Sequence, residues 1–280
     1  MKRRIVGAAS AIILMGSFGA SGVLAQAVDK EFQEKTHMVL REHPEILVEA
    51  LRGQGEELLQ ILETAAKKRQ ADQEKARMEQ ELKNPRAPKM DASRPSLGPA
   101  GAPIVVVEYS DFFCHYCGVA SNTVKELLAK HPDKIQLVFK HMASKPISQL
   151  AAKYFEAIAM QDPEKAWKFH DAVFADQEGF ATGGEAAMLK YAATLGLDME
   201  KLSKAVQSDV VNKRVEEDLA EARSFGFTGT PMFLVNGVTI RGAVPENVFE
   251  ETIDLVEKNG VKRPPSGPKI ETAAPAKPKK

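Results

Sequence analysis

Cysteine is almost absent from this chain. Its 280 residues hold two, Cys114 and Cys117, in the stretch "DFFCHYCGVA". One pair cannot make the disulfide framework of a secreted fold this size, and it falls two ligands short of a closed structural zinc site. An excess of charge is lacking too. Lys and Arg number 38 against 38 Asp and Glu, which argues against nucleic acid as the main partner. Beyond the amino-terminal leader no apolar run is long enough to span a membrane, and there is no internal repeat. What remains, at 44% hydrophobic residues, is material for one good core and some accessory segments.

The leader, "MKRRIVGAASAIILMGSFGASGVLAQA" (residues 1–27), places Lys2, Arg3 and Arg4 before an apolar stretch that closes on small residues. That order is a secretory signal peptide, with cleavage after Ala25 or Ala27. An uncleaved anchor is the competing reading, and Gly16, Gly19 and Gly22 inside the stretch weigh against it. Neither cysteine is near the cleavage site, so a lipid-modified terminal cysteine is not expected. The expected compartment is a bacterial periplasm, where disulfides persist, and losing three basic residues leaves the mature chain slightly negative.

Residues 28–84 read as helix. "EHPEILVEAL" starts one with Pro44 and Glu45 suited to a first turn, Gly53 and Gly55 weaken it, and Leu58, Leu59, Leu62 and Ala65 resume the apolar spacing. Such a segment has no core of its own, which points to packing on further copies through Leu47, Leu51, Leu58 and Leu62; docking back on the main domain is the alternative. Its polar second half, with Lys75–Glu79 and Arg77–Glu81 four apart, suits a solvated helical spacer. Residues 85–102, with Pro85, Pro88, Pro95 and Pro99, read as a linker, and residues 263–280 as a disordered tail.

The residues between, 103–262, have a telling order. "IVVVEY" is a buried strand, the cysteine pair and "TVKELLAKH" a helix, and "KIQLVFKHM" a second strand, so a βαβ unit is expected with Cys114 where strand passes into helix. Residues 147–224 read as a helical insertion, and "TPMFLVNGVTI" as a hairpin turning at Asn236-Gly237 before a closing helix. Trp167, Phe169, His170 and Phe174, at helical spacing, are assigned to core.

Cys-x-x-Cys at a strand-to-helix junction puts the first sulfur among unpaired backbone N–H groups, where an anion is favoured. Cys114 is therefore the expected thiolate and Cys117, a turn further in, the protonated partner. His115 between them either supports that thiolate, making the disulfide more oxidising, or is a solvated loop residue. A soft Cu(I) ion held by two thiolates is a possible secondary activity.

"VVVEYSDFFCHYC", the helical insertion and "GFTGTPMFLVNG" together resemble the DsbA-like branch of the thioredoxin superfamily over about residues 103–260. The resemblance implies an α/β thioredoxin-like fold with a helical insertion, no cofactor, Cys114 as nucleophile and Cys117 as resolving thiol. It also implies a cis-proline at Pro231, with the Thr230 backbone beside the sulfurs and able to pair with an extended client peptide, and threonine at that position is more like isomerases than the strongest oxidases. Glu108 and Lys140 match positions where relatives keep charged groups beneath the active site. There Glu108 exchanges protons with Cys117 and Lys140 balances the charge, the alternative being a buried ion pair without catalytic use.

The amino-terminal helices are similar to the association region of the oligomeric ScsC and DsbC kind, "HPEILVEAL" most of all. The first functional expectation is accordingly a homo-oligomeric periplasmic disulfide isomerase, dimer or trimer. Its partners would be misfolded or reduced secreted proteins and a membrane thiol-redox protein. A DsbA-like dithiol oxidase is second and a copper-binding periplasmic protein third; exchange activity in metal-free protein separates the third from the others.

Overall fold

The run Ile104-Val105-Val106-Val107 has the β-branched side chains of a strand buried on both faces, and such a strand belongs at the centre of a sheet. The computed structural model describes residues 30–265 and places it there. The strands are β1 (Ser96–Leu97), β2 (Ile104–Ser110), β3 (Ile135–His141), β4 (Met232–Val235) and β5 (Val238–Arg241), in the sheet order β1-β3-β2-β4-β5. β2 and β3 are parallel and joined through helix α4 (His115–Lys130), while β1, β4 and β5 each pair antiparallel. The expected leader and the tail from residue 266 onward lie outside the described residues.

Alternation along β2 divides the core. Ile104, Val106 and Glu108 face one side, where Phe139, Trp167, Phe169 and Phe249 close the larger cluster. Val105, Val107 and Tyr109 face the other, against Ala222 and Phe227. Between β3 and β4 lie five helices, α5 (Pro146–Ala159), α6 (Pro163–Ala175), α7 (Gln177–Thr194), α8 (Met199–Val206) and α9 (Asp209–Ser224), which make up the expected insertion. Asp162, Asp198 and Ser208 cap α6, α8 and α9 by accepting first-turn N–H groups. The hairpin turns at Asn236 and Gly237, both at positive φ, and helix α10 (Glu246–Lys258) follows.

Two segments differ from their compositional reading. The chain divides into two units, the first ending at Lys68 and the second beginning at Arg69. Helix α3 (Gly55–Lys83) runs through that boundary, and its polar half is no free spacer within the second unit. Met78 and Leu82 pack on the main core, Arg77 donates to the Thr239 carbonyl at 3.0 Å, and the buried Glu81 accepts from the Thr239 N–H at 2.8 Å. Thr239 lies on β5, an edge strand, so α3 covers backbone that would otherwise be open to pairing.

Residues 85–102 are no detached linker either. They supply β1 at the opposite sheet edge, and the Arg86 N–H donates to the Gly237 carbonyl at 3.0 Å, so closely that a Cβ on Gly237 would lie 2.3 Å from the Arg86 oxygen. The Arg94 side chain is buried, its Nη1 donating to both Asp218 carboxylate oxygens at 2.8 Å and its Nη2 lying 3.2 Å from Glu156. Burial alone would raise the Glu156 pKa, yet Arg94, His141 and Arg214 hold it at about 2. Proline content reports an extended backbone here, and buried charge pairing fastens it. The tail's first residues are also held, Arg263 donating to the Ala100 and Ala102 carbonyls at 2.8 Å.

In the first unit, α1 (Lys30–Glu42), α2 (Pro44–Arg52) and the start of α3 have no buried side chain among the described residues. Phe32, Met38, Ile46, Leu47, Leu51, Leu59 and Leu62 are all exposed.

Arg94→Ala leaves Glu156 and Asp218 buried with fewer counter-charges, and should cost about 3–5 kcal/mol of stability by urea unfolding at pH 7. A loss below about 0.5 kcal/mol, the usual cost at an unconstrained surface position, would return residues 85–102 to the status of a linker.

Candidate active site

β2 ends at Ser110 and the chain must turn into α4 within a few residues. Asp111 makes that turn, its carboxylate accepting from the Phe113 N–H at 2.9 Å and its carbonyl from the Cys114 N–H at 3.1 Å. Cys114 is then the N-cap of α4 with extended backbone. From the insertion, the Gln177 side-chain amide donates to the carbonyls of Phe112 at 2.7 Å and Cys114 at 2.9 Å, holding the turn from outside.

Both thiols are free, Cys114 partly exposed and Cys117 fully buried. The Thr230-Pro231 peptide bond is cis, and the Thr230 carbonyl lies 3.5 Å from the Cys114 sulfur. Hydrogen bonding from the Cys117 thiol, foremost, and from the backbone N–H groups of Tyr116 and Cys117 lowers the Cys114 pKa to about 5 against the opposing effect of partial burial. The same interaction and burial push the Cys117 thiol up, so the pair divides into a nucleophile and a proton-bearing partner.

Other expected residues are placed less uniformly. His115 is exposed beside Tyr116, with ring centroids 5.5 Å apart, and makes no hydrogen bond to Cys114. Glu108 is buried two residues before Ser110 on the same face of β2, and burial raises its pKa to about 7. Ser110 follows Glu108 on the same face of β2, and its buried hydroxyl has no hydrogen-bond partner in the protein. Lys140 does not balance Glu108. In the β2–β3 register Glu108 is opposite Phe139 and Tyr109 opposite Lys140, which puts the two charges on opposite faces of the sheet. Lys140 instead pairs with Glu221 and donates to the Lys89 carbonyl at 2.7 Å. A one-residue difference in register parity decides this, and it can be counted only once the strands are paired.

Ser110, Asp111 and Gln177 were not anticipated. The alternation of β2 would have marked Ser110 as facing with Glu108, whereas nothing local marks Gln177, more than sixty residues away. Among the described residues no group of three or more His, Cys, Asp or Glu side chains is placed to hold a metal ion, and no helix is long and apolar enough to cross a membrane.

A family model described as "Thioredoxin" matches residues 91–255. A thioredoxin-like oxidoreductase from Silicibacter pomeroyi is similar in structure, with a TM-score of 0.53 and 28% identity, over 60% of this chain and 94% of that one. The thiol-disulfide exchange protein alpha-DsbA2 of Wolbachia pipientis shares the fold at a TM-score of 0.54 and 22% identity, over 65% of this chain and 95% of its own. A curated relative, the Na(+)/H(+) antiporter NhaA of Herminiimonas arsenicoxydans, is 36% identical over 162 residues. That match covers 58% of this chain and 25% of the antiporter, so the chain spans about a quarter of the curated relative.

Alkylation of the reduced protein should label Cys114 with a pH midpoint near 5 and leave Cys117 unlabelled. The linkage has a definite sign. A thiol whose pKa is depressed on folding stabilises the reduced state fully above its unfolded value of roughly 8.5, and loses that contribution as pH falls toward 5. The stability advantage of reduced wild type over Cys114→Ser should therefore grow between pH 5 and 8.5; a flat difference would mean that Cys114 is not the thiolate.

Proposed function

Because this chain belongs to the thioredoxin family, we propose that it is a thiol-disulfide oxidoreductase of exported proteins, working in the periplasm as a self-associating disulfide isomerase. The observation that carries the isomerase reading is the first unit. Its exposed Leu47, Leu51, Leu59 and Leu62 line no core within one copy, and a second copy is the simplest surface of matching length to cover them. Association places several Cys114 thiolates near one misfolded client and raises their effective concentration.

The cycle starts when Cys114 attacks a client disulfide, forming a mixed disulfide and releasing one client thiolate. The client's extended backbone lies along Thr230, and Tyr116 and Val119, both exposed on the first turns of α4, offer apolar contact. Either the released client thiolate attacks elsewhere and frees Cys114, which is isomerisation, or Cys117 resolves the adduct. In the second route Cys117 gives its proton to Glu108 and attacks Cys114; the Cys114–Cys117 bond forms, the bond to the client breaks, and the client leaves as a thiolate. Misfolded or reduced secreted proteins are then the clients, and a membrane thiol-redox protein resets the pair.

A dithiol oxidase is the second reading. The lowered pKa of Cys114 favours it, because a stabilised thiolate makes the disulfide a stronger oxidant.

Since residues 69–102 belong to the folded second unit, the informative truncation starts at Arg69 rather than within the proline-rich stretch. The full-length protein should sediment as an oligomer and the truncated one as a monomer. Both should reduce insulin, and the truncated protein should reactivate scrambled ribonuclease about tenfold less well or worse. A monomeric full-length protein, or equal reactivation by the two, transfers the assignment to the oxidase.

A further inference from the structure

On the Glu108 face of the sheet, between β2, α4 and α6, is a cavity of about 210 Å³ lined by Glu108, Ser121, Lys125, Trp167, His170 and Asp171 among others. Four of these residues carry a buried polar atom with no hydrogen-bond partner in the protein: Glu108 Oε1, Ser121 Oγ, Trp167 Nε1 and His170 Nε2. Each side chain is more than nine-tenths buried. Buried polar atoms are nearly always satisfied, so four of them around one cavity large enough for several water molecules describe a hydrated chamber rather than a packing defect.

His170 is held for a particular task there. Its Nδ1 lies 2.9 Å from the Asp171 carboxylate, so Nδ1 carries the hydrogen and Nε2 presents a lone pair. Asp171 is half-exposed and pairs with Lys125 at 2.9 Å, which brings the far side of the imidazole to solvent. Phe139, Trp167 and Phe174, with ring centroids 4.7 to 4.9 Å away, fix the ring plane. The charged and titratable groups around it are Asp171 on its own helix, Lys125 on α4, Glu108 on β2 and His141 on β3. Burial, the largest influence, lowers the pKa of the ring and keeps it neutral, so a proton taken up at Nε2 is passed on from Nδ1 rather than held.

We propose that the chamber is the proton path of the exchange reaction and that His170 is its relay, carrying the proton of Glu108 through chamber water to Asp171 and solvent. This rests on the role given to Glu108 above. When Cys117 resolves a mixed disulfide, its proton passes to Glu108. Glu108 releases that proton to water in the chamber, Nε2 of His170 takes one up, and Nδ1 gives one up toward Asp171. In the reverse reaction the same groups return it. No electron moves along this path; the electron pairs stay with the sulfurs. His170 touches neither substrate nor sulfur and is a positioning and relay residue.

The test uses the full-length protein with a peptide preloaded on Cys114, and follows resolution in a single turnover through Trp167, the one tryptophan of the chain. His170→Phe keeps an aromatic ring in the packing. It should slow resolution about tenfold or more at pH 6–7, and the deficit should shrink toward pH 9 as hydroxide replaces the relay. His170→Ala should show the same loss and recover on adding imidazole. A slowing that is equal at every pH and insensitive to imidazole makes His170 a packing residue and overturns the proposal. If His170→Ala does not fold, Asp171→Asn decides: a several-fold slowing with the same pH dependence supports the relay, and an unchanged profile overturns it. Glu108→Gln separates the two readings. If it resolves as fast as wild type, the role of Glu108 itself fails; if it is slow while His170→Phe is normal, only the relay fails.

Discussion

Everything at this site depends on the unequal treatment of two identical thiols one helical turn apart. Cys114 occupies the N-cap of α4, where the thiol of Cys117 and the N–H groups of the first turn stabilise an anion, whereas Cys117 is buried in the core face of the same helix. Helix geometry alone produces the difference, since a side chain at the cap meets unpaired donors and one three residues later meets the sheet. Other parts of the site hold that geometry. Asp111 shapes the turn, Gln177 grips its carbonyls, and the Thr230 carbonyl approaches the outer sulfur.

The two faces of the sheet perform separate work. On the face with Glu108, burial is incomplete in polar terms, and unpaired atoms collect around the chamber that Glu108 lines. On the other face, buried charge is gathered into ion pairs. Tyr109 and Lys140 meet Glu221 there and Arg94 pairs with Asp218, while His141, on the Glu108 side of β3, joins Arg94 and Arg214 around Glu156. Buried charges of this kind are costly when broken and contribute little when replaced whole, so their use here is to fasten residues 85–102 in one place.

Both edges of the sheet are covered or short within the second unit. The end of α3 lies over β5, and β1 closes the side of β3 with two residues. Short or covered edges prevent pairing with other chains. The first unit presents the opposite condition, with its apolar side chains exposed.

Much of this was legible in the sequence. The β-branched run of β2, the cysteines after it, the helical insertion and the Asn236-Gly237 turn are local signals, and each element formed where its own chemistry demanded. Cys114 was legible as the thiolate for the same reason, because an N-cap is defined by neighbours within four residues. Residues 69–102 were misread because composition records what a segment would do alone, and here Arg77, Glu81 and Arg94 find partners between 62 and 162 positions away. The same limit hid three other things: that Lys140 serves the face opposite Glu108, that Gln177 reaches the cysteine turn, and that His170, legible only as one more core residue of α6, opens its free nitrogen onto the chamber of Glu108. Those facts belong to strand register and helix docking, which bring together groups that the chain itself keeps far apart.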